Sequence, residues 1–97
     1  MKAYYAHPIT LYGSIQEQKD KELLESLGFI VVNPSDKDKQ DEYEKGGFQV
    51  FLDWVSKSDC LAFRSFIDMS ISAGVMREIQ QAIKDGKPVI ELQTKTI

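Results

Sequence analysis

The chain has 97 residues, 42% hydrophobic and 28% charged, and twelve Lys and Arg against fifteen Asp and Glu give a net charge of −3. This length suits one small core, so a two-domain enzyme, an α/β barrel and a multi-repeat solenoid are disfavoured, and residues 1–97 are expected as a single domain. The mild acidity argues against binding nucleic-acid polymers, which needs a basic field, yet allows a small phosphorylated ligand held by one or two groups.

Residues 2–6 form a short β-prone run that ends at His7-Pro8, because proline cannot donate to a sheet ladder. A loop closed by Gly13 follows. Ser14 and Glu17 stand in capping-box spacing, and a helix carrying Ile15, Leu23, Leu24 and Leu27 is expected to end at Gly28. Phe29 to Val32 is an unalternating apolar run, the pattern of a strand covered on both faces. Residues 34–47 hold few core-type side chains and read as a solvated loop running into a polar helix start, or as a lid over a site.

Phe48, Phe51, Leu52 and Val55 make a helical face, with Val50 and Trp54 on the other side as a second apolar stripe suggesting a subunit contact. Residues 59–63 read as a third strand. Residues 72–85 read as a helix with Val75, Ile79, Ala82 and Ile83 on one face, stopped at Gly86-Lys87-Pro88, and residues 89–92 as a fourth strand. Strands alternating with helices imply an α/β fold: a three-layer, Rossmann-like or flavodoxin-like arrangement of a four-stranded parallel sheet in order 2-1-3-4. Ligands of such sheets bind beyond the carboxyl ends of the strands at the switch point, here where residues 6–14 and 64–78 converge.

One cysteine, Cys60, has no internal disulfide partner, and with one histidine, His7, there is no set for a zinc site, so no metal or cofactor is expected. No apolar run approaches the roughly 18 residues of a membrane span, and the first residues lack a signal peptide's apolar stretch. The expectation is a cytoplasmic protein away from membranes. So small a core also suggests a homodimer or larger assembly that adds stability or closes a site.

Within the switch-point segments, Glu78 lies roughly 90° from the apolar centre of its helix, where a carboxylate can be partly desolvated. Gly74 permits close approach to backbone N–H groups, Ser70 and Ser72 are N-cap candidates, and Arg64 is the candidate for an anionic ligand. His7 and Pro8 follow the first strand. Tyr4 and Tyr5 point to opposite faces of that strand; one packs in the core and the other, taken as Tyr5, lines the pocket and brings its hydroxyl near Glu78. Asp53 lies about 150° from the apolar centre of its helix and faces solvent or a partner.

Three stretches together resemble the nucleoside 2-deoxyribosyltransferase family, including the 2′-deoxynucleoside 5′-monophosphate N-glycosidases. They are Tyr4-Tyr5-Ala6-His7-Pro8, Ser58-Asp59-Cys60-Leu61-Ala62-Phe63, and Gly74-Val75-Met76-Arg77-Glu78 followed by Ala82 and Gly86-Lys87-Pro88-Val89. The resemblance implies that Glu78 is a nucleophile toward C1′ of a deoxyribose, forming a covalent glycosyl-enzyme resolved by water or a second base. It implies a nucleoside or nucleotide ligand, with Ser72 favouring a 5′-phosphate assisted by Gly74 and Arg64. His7 stands where the family has glycine. The family's helix-borne aspartate falls on Phe51, which leaves Asp53, two residues on, as the nearest acid. A non-catalytic nucleotide sensor or sequestering protein on the same fold is the alternative.

Overall fold

Four strands, β1 (Lys2–Ala6), β2 (Ile30–Val32), β3 (Cys60–Arg64) and β4 (Val89–Leu92), form one parallel sheet in the order β2-β1-β3-β4 in the computed structural model, which describes residues 1–66 and 68–92. The connecting helices are α1 (Ile15–Ser26), α2 (Lys37–Gly46), α3 (Gln49–Lys57) and α4 (Ala73–Lys84). Strand alternation sorts the core into two clusters. Tyr4, Ala6, Leu61 and Phe63 pack under α3 and α4 against Phe51, Val55, Val75 and Ile79. Tyr5, Ala62 and Leu92 face the other way and pack against Leu24 of α1. Helices therefore cover both faces, giving the expected three-layer α/β fold. No described helix is long and apolar enough to cross a membrane.

Local chemistry sets the helix ends. The Ser14 Oγ accepts the Glu17 N–H at 3.1 Å, as the capping box requires, but the Glu17 side chain turns to the Gly13 N–H at 3.2 Å rather than back to Ser14. At the other end of α1, Gly28 (φ +91°) closes a Schellman motif in which Phe29 N–H donates to Leu24 O and Gly28 N–H to Glu25 O. Gly86 (φ +70°) ends α4 identically, with Lys87 N–H on Ala82 O and Gly86 N–H on Ile83 O. Lys87 then reaches back to the end of α3, where its ammonium donates to the Ser56 and Ser58 carbonyls. The Gly-Lys pair thus stops one helix and caps another. Lys87→Met is expected to cost about 1–2 kcal/mol, read as a lower urea midpoint at unchanged m-value.

Several expectations need correction. Residues 34–47 are mostly helix: Asn33 organises the entry by accepting Ser35 N–H at 3.0 Å and Asp36 N–H at 3.1 Å, and Lys37 pairs with Asp41 one turn on. No residue of α2 is buried, so hydrophobic periodicity carries no trace of it. The chain between β2 and β3 therefore holds two helices, not one. Val50 and Trp54 pack against the core, and Trp54 donates to Glu42 of α2 at 3.3 Å with Lys39 4.3 Å above its ring. The stripe that suggested a subunit contact is thus partly buried within the chain. β2 pairs only with β1 and is an edge: Ile30 is 63% exposed and Val32 alone of the strand is buried, so the run is not covered on both faces.

The two flanking helices are also rotated from their apolar patterns. In α1 the buried residues are Asp20 and Leu24, while Ile15 and Leu27 are exposed. In α4 they are Val75, Glu78, Ile79 and Ala82, and Ile83 faces out at 64% exposed. Exchanging Ile83 for Glu78 turns the buried face of α4 by about 35° toward the glutamate.

Candidate functional site

The connection after β1 leads to α1 on one face of the sheet, and that after β3 leads to α4 on the other, so a crevice opens between the two loops at the strands' carboxyl ends. A cavity of about 380 Å³ lies there. Its first wall comes from the loop after β1, with His7, Pro8, Ile9, Thr10 and Tyr12. The second is the start of α4, with Ser72, Gly74 and Glu78. The remaining walls are largely aromatic: Tyr43 of α2, Phe48, Phe51 of α3 and Phe66 after β3. Tyr43 stacks on Phe51 at 5.0 Å, and Phe48 meets Phe51 edge-on at 5.7 Å.

Glu78 is the acidic side chain of this cavity, and it is only 4% exposed. Its carboxylate accepts a hydrogen bond from the Tyr4 hydroxyl, which rises from the middle of β1 inside the core. Burial pushes the Glu78 carboxyl up to about 7, against the opposing pull of the Tyr4 hydrogen bond. Burial, and then the adjacent Glu78 charge, raise Tyr4 well above its ordinary value, so the phenol stays a donor at neutral pH. A carboxylate part-ionised at neutral pH and oriented by one fixed donor in an aromatic-walled cavity can act as a nucleophile or as a proton carrier.

His7 is buried in the wall. It stacks on the Tyr5 ring at 3.9 Å, its Nδ1 donates to the Tyr5 carbonyl at 3.0 Å, and its Nε2 lies 2.7 Å from the Glu17 carboxylate. Both ring nitrogens face acceptors, which holds the ring in one orientation. Burial raises the Glu17 carboxyl, but hydrogen bonds from His7, Ser35 and the Gly13 N–H outweigh it and leave Glu17 below its ordinary value. Ser72 caps α4 by accepting the Val75 N–H at 3.3 Å, whereas Ser70 bonds Asp68 instead. A Cβ built on Gly74 would meet the Phe48 ring at an ordinary 3.5 Å, so packing within the chain does not demand glycine there.

Glu78, Ser72, Gly74, His7 and Pro8 thus share one cavity, and the other candidates do not join them. The tyrosine on Glu78 is Tyr4, not Tyr5. Tyr5 points to the opposite face, where its hydroxyl donates to Asp20 at 2.6 Å. Arg64 lies with it, donating to Asp20 through Nε at 2.5 Å and Nη2 at 2.7 Å, so its charge is matched inside the fold rather than offered to a ligand at Glu78. Asp53 is exposed on α3, accepts from Gln49 at 2.9 Å and is no part of the cavity wall. The sequence reading passed over Tyr12, Gln40, Tyr43 and Phe66 as wall residues. Strand alternation places the two tyrosines on opposite faces but does not say which face carries Glu78, and the choice of Tyr5 was the wrong one.

Comparison with protein-family models and with curated protein sequences returns no match.

Proposed function

We propose that the chain cleaves the N-glycosidic bond of 2′-deoxynucleosides or their 5′-monophosphates, as a hydrolase or a deoxyribosyltransferase, with Glu78 as nucleophile. The observation that carries this reading is the buried Glu78 carboxylate, held by the Tyr4 hydroxyl in a cavity at the sheet's switch point. A Glu78 oxygen attacks C1′ and forms an ester bond. The C1′–N bond breaks, and the base leaves with the electron pair and takes up a proton. Water or a second base then attacks C1′, releasing the carboxylate. The aromatic walls offer stacking surfaces for the base, and Ser72 and Gly74 stand where a 5′-phosphate would meet backbone donors.

A second reading, a nucleotide-binding protein without turnover, is favoured by one observation: among the described wall residues no second carboxylate accompanies Glu78 to protonate the departing base. Incubation with a panel of deoxynucleosides and their 5′-monophosphates, followed by chromatography for free base, separates the two. Base release supports the enzyme; tight binding without release sinks it in favour of the binding protein.

Only ionised Glu78 is nucleophilic, so the rate of base release is expected to rise with pH through a midpoint of about 7. Tyr4→Phe removes the bond that favours the ionised form, and the midpoint is expected to move to higher pH. A flat profile between pH 5 and about 9 would contradict the assignment.

A further inference from the structure

We infer that a second cavity, adjoining that of Glu78, is a subsite for an uncharged hydroxyl-bearing group joined to the substrate's 5′-phosphate, as in a phosphodiester-linked dinucleotide with a single phosphate. The inference rests on the proposed reading of the Glu78 cavity. The second cavity holds about 700 Å³ and shares Thr10 and Phe66 with the first. Ser65, Asp68 and Ser70 line it and Ser72 lines its neighbour, with Phe66 common to both, so one ligand can reach from cavity to cavity. Each volume lies within the roughly 300–1,000 Å³ of ligand pockets.

The chemistry of the walls selects the occupant. Ser65 is 5% exposed and its hydroxyl bonds no described residue; because no fully covered side-chain polar atom among the described residues lacks a partner, that hydroxyl opens onto the cavity. A hydroxyl that opens onto a cavity can donate to or accept from a ligand group placed there. Gln16 commits its NH₂ to Asp20 at 2.7 Å, which leaves its carbonyl oxygen as an acceptor. Arg64 is matched by Asp20, and the Asp68 carboxylate stands at the wall, so a second phosphate gains no net cation here and meets a negative charge. Acceptors, hydroxyls and the Phe66 ring suit a sugar and a base.

The test uses the Glu78→Gln protein, in which turnover is expected to be lost, and isothermal titration with a deoxynucleoside 5′-monophosphate and with the dinucleotide in which that one phosphate is a diester to a second nucleoside. The dinucleotide is expected to bind about tenfold more tightly. Leu11→Trp, which fills only the second cavity, and Ser65→Ala, which removes the hydroxyl, are each expected to erase most of that gain and to leave mononucleotide affinity within about twofold. Equal affinities in the parent, or a gain that survives both substitutions, overturn the inference while leaving the Glu78 site standing. Failure of both nucleotides to bind overturns the proposed function with it.

Discussion

Glu78→Gln is expected to reduce base release by about 10⁴-fold or more, because the amide keeps the shape and an acceptor for Tyr4 but cannot attack C1′. The same substitution is expected to stabilise the fold in alkaline solution. The folded-state carboxyl sits at about 7 against an ordinary 4.5, raised by burial. Its contribution to stability is therefore fully present below pH 4.5 and is lost as pH rises through about 7. By pH 8.5 the ionised Glu78 costs about 3 kcal/mol, a cost that glutamine does not carry. Denaturation of both proteins at acid and alkaline pH checks this: the advantage of the variant should grow with pH. A variant that loses activity and is equally destabilised at every pH would indicate a packing role instead. Loss of activity joined to gain of stability is the behaviour of a group kept for function at the expense of the fold.

Asp20→Ala is expected to be the most damaging single change to stability. Asp20 is 2% exposed and accepts from Tyr5, Arg64 and Gln16, joining β1, the end of β3 and α1. Its removal takes the carboxylate away from the Arg64 guanidinium, which is only 6% exposed, at a cost of about 3–5 kcal/mol. For a domain of this size that lowers the melting temperature by at least about 12 °C. Asp20→Ala combined with Arg64→Met is expected to be less destabilising than the sum of the single changes, since both members of the ion pair are then removed together. Calorimetric scans of the single and double variants measure the coupling. Strict additivity would show that the pair does not act as a unit.

The caps at Ser14 and Ser72 and the stops at Gly28 and Gly86 are legible in the sequence because each depends on neighbours within a few residues, and the order and direction of the strands follow from the alternation of strands with helices and right-handed crossovers. The meeting of His7 with the Glu78 helix follows from topology alone, since right-handed crossovers leave one switch point for a sheet of this order. The polar helix α2 left no periodic signal, because nothing on it is buried.

Burial of polar groups lay beyond the sequence. An apolar pattern points α4 toward Ile83 and α1 toward Leu27, yet both helices turn the other way, because Glu78 finds Tyr4 and Asp20 finds Arg64 across the sheet. Those partners are 74 and 44 residues distant. A lone Asp or Glu reads as a surface residue until its partner is placed, since only pairing or hydrogen bonding offsets desolvation. Local spacing determined the elements other than α2, and topology determined the crevice at the strands' carboxyl ends. The tertiary structure decided which tyrosine meets Glu78, and that Arg64 is turned inward while Asp53 is turned away, because these choices depend on contacts made across the sheet.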